Sequence, residues 1–313
     1  MSLVVIGLSI GMLLFLLAVG LTLIFGMLGV INFAHGALYM LGAYLAYQTV
    51  QWTGSFWIAL LAAPLIVAVM AAVMEIFAIR RVYTRDHFYQ VLLTFGLILV
   101  IDEIVRSIWG LQAKLLSAPP GLGSSVSLMG SDVSAYRLFL IGFGVVVSAA
   151  FFLVLERSRV GMVVRGCNHD SEMASCLGIN VARVRTWIFA IGSGMAALGG
   201  VAAGPLYPVD TNMGFAVIID CFMVVVIGGM GNIRGSLAGA LLIGREGSLR
   251  GDPAPPSWPQ ALLRFGVGTV GLAGELGQSR SLAPLLAVRV TLPDEVVNLH
   301  RVDLIAVVHQ PPP

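Results

Sequence analysis

A chain of 313 residues that is 58% hydrophobic and 11% charged, with a mean hydropathy of +0.93, is too apolar for a water-soluble domain, where about a quarter of residues carry charge. The net charge is only +2, and of the 18 basic residues Lys114 alone is a lysine. The arginines are spread over the loops between apolar runs, so the net charge says little about nucleic acid, and no nucleic-acid partner is expected.

Taken in order, Leu3 to Leu28 is long enough to cross a bilayer, which takes about 20 apolar residues. No Lys or Arg precedes Arg80, so this first run lacks the basic n-region of a secretory signal peptide. Gly26, Gly29 and the group Asn32-Phe33-Ala34-His35-Gly36 interrupt it, as a full turn or as a re-entrant kink, and Ala37 to Val50 resumes the apolar run. Further spans are expected over Phe56 to Ile79, Val91 to Trp109, Tyr136 to Leu155, Thr186 to Gly204 and Met213 to Met230. The sum is an all-α, polytopic transmembrane bundle of about seven or eight spans. The intervening stretch from Leu111 to Ser134, rich in Gly, Ser and Pro, reads as a loop. The apolar run restarting at Ser236 stops at Gly244, too short to span.

Arg80, Arg81, Arg85, Arg157, Arg159, Arg165, Arg183, Arg185 and Arg234 all fall on one side of this topology. The positive-inside rule makes that side cytoplasmic and puts the N-terminus outside. The longest polar stretch on that side, residues 157–185, cannot sit in lipid, because its charges and backbone groups would go unsatisfied. Within it Asp170 to Gly178 reads as one short helix. Asp170 or Ser171 caps it, Glu172 suits the first-turn dipole, and Gly178 stops it. Met173, Cys176 and Leu177 share a face. So short a helix needs something to pack on. By spacing alone that is more readily its own protein than a cytoplasmic partner.

Gly192, Ala196, Gly200 and Gly204 recur every fourth residue, as do Gly231, Gly235 and Gly239, and each series makes a groove where another helix can approach closely. Asn32, His35 and Asp220 are polar groups at membrane depth, where such groups are costly. They are candidates for a translocation path, with capping and bridging of the broken helix the plainer role for Asn32 and His35. Asp102 and Glu103 lie one turn from Arg106, and Glu75 is expected to pair with Arg80 or Arg81. The cysteines Cys167, Cys176 and Cys221 form no CxxC pair and read as small apolar residues, so no metal site is expected. The sequence carries no GxxxxGK[ST] phosphate loop, no HExxH and no GxSxG. It is not read as an enzyme, and no cofactor is expected.

Beyond Gly244 the character changes. Nine of the chain's 14 prolines follow Arg245, and charges cut the apolar runs short. The boundaries are therefore set at 1–244 for the transmembrane body and 245–313 for an irregular or disordered tail.

Leu21 to Tyr47, with its Asn-Phe-Ala-His-Gly group, resembles the permease subunits of bacterial branched-chain amino acid ABC importers, of the high-affinity type. So do the loop VGMVVRGCNHDSEMASCLGI, the helix AIGSGMAALGGVAAG and the segment VVVIGGMGNIRGSLAGALLIG. The resemblance covers about residues 5 to 244 with its motifs in order. It implies an inner-membrane importer half that works with a second homologous permease, two cytoplasmic ATP-binding subunits and a periplasmic amino-acid-binding protein. It also implies that the loop carrying Arg165, Asp170, Glu172, Met173, Leu177 and Gly178 is similar to a segment that couples to the ATPase, which reverses the reading from spacing. Relatives of this family also carry urea and short amides. A secondary transporter or channel, or the product of a disrupted permease gene, is the alternative. An abrupt change of character at Gly244 is what a frameshift would produce.

Overall fold

The computed structural model describes residues 2–83, 85–128 and 131–249, so the part of the expected tail beyond residue 249 lies outside the described residues. The helices are α1 (Ser2–Leu28), α2 (Ala34–Thr53), α3 (Phe56–Phe77), α4 (His87–Trp109), α5 (Ala135–Arg157), α6 (Arg159–His169), α7 (Ser171–Cys176), α8 (Val181–Ala203), α9 (Met213–Gly228) and α10 (Ile233–Leu249). Four of them, α1, α3, α5 and α8, are long and apolar enough to cross a membrane by length and composition alone. With α2, α4, α9 and α10 they build an all-α bundle.

Two ends can be told apart by their contacts. At one, Arg80 of the short 3-10 turn Ile79–Val82 reaches Glu75 and Thr186, Arg185 lies 5.3 Å from the centre of the Tyr83 ring, and Arg234 pairs with Glu156. At the other, Arg137 donates to Ser9 Oγ at 3.0 Å and Tyr136 to the Ala202 carbonyl at 2.8 Å. There also Trp109 donates to Gln48 at 3.0 Å, and Lys114 bridges to Val209. The arginines singled out from the sequence therefore flank one end of the bundle.

The middle of the bundle is α1. It is buried without interruption from Ser9 to Ile24 and makes its most extensive contacts with α10 and α8. Association in lipid rests on van der Waals contact, so small residues at the crossings set how close helices can come. A Cβ on Gly192 would meet Gly20 O at 2.8 Å, and one on Gly26 would meet the Gly231 Cα at 3.0 Å. A Cβ on Gly200 would run into Tyr39 O, and one on Gly204 would come to 2.7 Å from Leu116; Ala196 is fully buried.

Besides the start of α2 at Ala34, three stretches differ from the sequence reading. First, α10 does not stop at Gly244. Asn232 Oδ1 accepts from Gly235 N at its start, and Gly244 is pressed against the backbone of Gly7 and Gly11, so contact with α1 carries the helix through Arg245 to Leu249. Second, a further helix, α6, precedes the short one in the arginine-rich loop. Third, the loop between α4 and α5 holds a two-stranded antiparallel hairpin, β1 (Ser125–Leu128) with β2 (Ser131–Ser134). Strands of four residues leave too little alternation to read in sequence.

Gly200→Leu is expected to lower the detergent-solubilised melting temperature and the yield of folded protein. Overpacking costs about 1–3 kcal/mol when the neighbour can yield, and here the neighbour is backbone. Gly142→Leu, with nothing within 4 Å of its Cβ, is the control and should melt like the parent. Equal melting of both variants would contradict the packing assigned to Gly200.

Candidate functional site

The break between α1 and α2 is the first polar feature inside the bundle. Gly29 ends α1 in the left-handed region (φ 62), where glycine carries no Cβ penalty, and its N–H donates to Phe25 O. α2 then begins at Ala34, earlier than the apolar run suggests, so His35 and Gly36 belong to the helix. His35 is fully buried and its Nε2 donates to the Leu17 carbonyl of α1 at 3.0 Å. That bond bridges two helices. Asn32 is equally buried, but neither its Oδ1 nor its Nδ2 meets a partner among the described residues, and the N-cap of α2 is Phe33 with no side-chain cap bond. The carbonyl of Ile31 takes a long bond, 3.4 Å, from Thr94 of α4.

α9 packs beside this break. Gly214 and Gly36 meet backbone to backbone, and the rings of Phe33 and Phe222 lie 4.8 Å apart. Asp220 is buried on a different face of α9, one turn on from Ala216 and Val217. Those two residues, with Leu13, Leu14, Tyr39 and Asp210, line a crevice of about 230 Å³ between α1, α2 and α9. Among the described residues no hydrogen bond joins Asp220 to Asn32 or His35. The three polar groups thus form no hydrogen-bonded cluster among the described residues. Sequence reasoning passed over Tyr39, although it lies one turn after His35 on the same helix face.

The second feature is the loop at the arginine end. Ser158 caps α6 by accepting from Gly161 N at 3.1 Å, and Val164 and Cys167 are buried. Their i, i+3 spacing after a serine was the readable signal for this helix. The Arg165 guanidinium donates to the Leu155 carbonyl near the end of α5, which ties α6 back to the bundle. Asp170 Oδ1 then accepts from the backbone of Glu172 at 3.0 Å and Met173 at 2.8 Å, capping α7. Gly178 takes φ 81 just after the helix. Ala174 is the buried residue of α7, whereas Met173 is 58% and Leu177 75% exposed. The helix therefore packs on its own protein through an alanine and turns its larger apolar side chains outward. Asn180 caps α8 by accepting from Arg183 N.

The loop is joined to α3 by one carboxylate. Glu75 is fully buried and accepts from Arg80 at 2.9 Å, Thr186 at 2.8 Å and Tyr83 at 3.0 Å. Burial and the neighbouring carboxylate push the Tyr83 hydroxyl well above its ordinary range, so it stays protonated and donates. Near the other end Asp102 pairs with Arg106 along α4 at 2.8 Å.

Comparison with known proteins decides what this architecture is. Residues 3–252 match the family described as branched-chain amino acid transport system / permease component. The chain belongs to that family. It is similar to the high-affinity branched-chain amino acid transport system permease protein LivH of Salmonella typhimurium, 30% identical over 76% of this chain and 82% of the relative. It is likewise similar to the BraD permease protein of Pseudomonas aeruginosa, named for the same transport system, 31% identical over the same shares of each chain. A probable branched-chain amino acid transport permease protein LivH of Methanocaldococcus jannaschii is 28% identical over 76% of both chains. The chain is a membrane permease subunit of the ABC-importer type, and the family match runs through the whole of α10.

Glu75→Ala should destabilise this permease by about 1–3 kcal/mol, the cost of leaving buried partners without their acceptor. Arg80 can turn to water, which keeps the loss below that of a fully enclosed ion pair. Arg234→Gln, which breaks an exposed pair with Glu156, should cost less than about 1 kcal/mol. Melting of both variants in one detergent checks the order, and an equal loss would contradict the role given to Glu75.

Proposed function

We propose that this permease forms one half of the membrane path of an ATP-driven importer for branched-chain or related small amino acids, and that α7 takes up the stroke of a cytoplasmic ATPase. The observation that carries the reading is the outward pair Met173 and Leu177 on a capped helix at the arginine end of the bundle. A rigid, short helix with its larger apolar side chains in water suits docking on another protein, since helices this short are marginal alone. Arg165, Asp170, Glu172 and Gly178 then have supporting roles: Arg165 ties the loop to α5, Asp170 and Gly178 fix the two ends of α7, and Glu172 offers charge beside the apolar pair.

The arginine end is cytoplasmic in this reading, by the positive-inside rule, and the membrane is the bacterial inner membrane. The partners are a second homologous permease subunit, two ATP-binding subunits and a periplasmic amino-acid-binding protein. The substrate class rests on the relatives' names. An apolar crevice with Asp210 at its lining offers an aliphatic wall and a carboxylate for an ammonium group, and the buried Asp220 follows its lining residues Ala216 and Val217 by one turn of α9. Asn32, His35 and Asp220 are the polar groups of the path, and Gly192, Ala196, Gly200 and Gly204 keep its walls close. We place the end of the permease body at Leu249, the last residue of α10, a few residues beyond Gly244.

Met173→Ala combined with Leu177→Ala is expected to leave membrane insertion unchanged, to release the ATPase on co-purification and to abolish uptake of labelled leucine. Truncating an apolar side chain buried in a contact costs about 2–5 kcal/mol, enough to undo a small one. Normal co-purification together with normal uptake would show that α7 serves only its own loop.

A further inference from the structure

A second recess is unrelated to the crevice and to α7. It lies between α5 and α8, with Leu23 of α1 at its floor and α6 closing the arginine end. Its volume is about 750 Å³, within the range of about 300–1,000 Å³ of clefts that hold small ligands. Every lining side chain is apolar except Arg159 and the indole of Trp187. α5 contributes Val147 to Leu155 and α8 Val184 to Met195, so the recess occupies the half of the bundle nearer the arginine end. Val154, Trp187 and Ile191 are exposed along it, which opens it sideways, toward lipid.

Three arginines mark its polar end. Arg159 lines the recess itself. Arg183 is one turn before Trp187 on the same face of α8, and Arg157 follows Val154 by one turn on α5. All three are exposed, and among the described residues none makes an ion pair with a carboxylate. An apolar slot about one leaflet deep, crowned by unpaired cations and a tryptophan, matches the two halves of one kind of molecule. Its tails would supply the dispersion contacts that the walls lack on their open side. Its headgroup would meet the cations at the depth where basic residues attract anionic lipid. We propose that this cleft is a binding site for an anionic phospholipid of the arginine-side leaflet, with acyl chains against Leu23, Phe151 and Ile188 and the phosphate among Arg157, Arg159 and Arg183. The site does not depend on which solute the permease carries.

The test uses the full chain. Native mass spectrometry from mixed micelles compares retention of phosphatidylglycerol with that of phosphatidylcholine. The expected result is preferential retention of phosphatidylglycerol, with the preference falling about fivefold for each arginine replaced in Arg157→Gln, Arg159→Gln and Arg183→Gln. Met195→Trp, which fills the slot and keeps the charges, should lower retention of both lipids. A variant whose only tryptophan is Trp187 locates the lipid: brominated phosphatidylglycerol should quench it more than brominated phosphatidylcholine at equal mole fraction. Equal retention of the two lipids, or a preference untouched by the three substitutions, would overturn the proposal. Trp187 left unquenched in the assembled complex would mean that a protein segment fills the cleft, and would overturn it as well.

Discussion

Close contact between helix backbones at α1 is the constraint from which the rest of this structure follows. In lipid there is no hydrophobic force between helices, so association depends on contact area and on satisfied polar groups. α1 supplies both. Gly11, Gly20 and Gly26 let α10, α8 and the α9–α10 turn reach its backbone, and Thr22 shares a buried 2.7 Å hydrogen bond with Ser236 of α10. His35 adds a bond from α2 to the same helix. The apolar side chains of α1 fill the space between these crossings, which is why it is buried over most of its length although it is among the most apolar segments of the chain.

With the bundle held at its centre, its two ends are free to specialise. The arginine end is rigidified by Glu75, which ties α3 to the turn after it and to the first residues of α8. α6 and α7 connect α5 to α8 and are held by their caps, by the Arg165 bond to Leu155 and by the buried Val164, Cys167 and Ala174. The opposite end is joined between elements by a tyrosine to a carbonyl, an arginine to a serine and a short backbone bridge between two loops, while the Asp102–Arg106 pair stays within α4.

Much of this could be read from the sequence, for identifiable reasons. Runs of about 20 apolar residues mark helices long enough to cross a bilayer, so α1, α3, α5 and α8 were legible, and so was the four-residue ridge on α8. Asp170 announced α7 because an aspartate before a short apolar face satisfies orphan N–H groups. What escaped was decided by tertiary contact. The extension of α10 through Arg245 needs Gly7 and Gly11 of a helix more than 200 residues away. The start of α2 at Ala34 needs α9 and α1 packed around it. The orphaned side chain of Asn32 and the apolar recess between α5 and α8 are properties of packing and have no local signature. α6 was legible in principle, but its arginines drew attention from the Val164–Cys167 spacing.

The central claim is that the end carrying α7 faces the compartment where ATP is hydrolysed. Cys176, on α7, is an exposed free thiol, whereas Cys167 and Cys221 are buried, so the native chain reports its own orientation. A membrane-impermeant maleimide applied to intact cells should leave the protein unlabelled. The same reagent applied to inverted membrane vesicles should label it, with the signal lost in Cys176→Ser. Labelling of Cys176 in intact cells would place α7 outside and contradict the account.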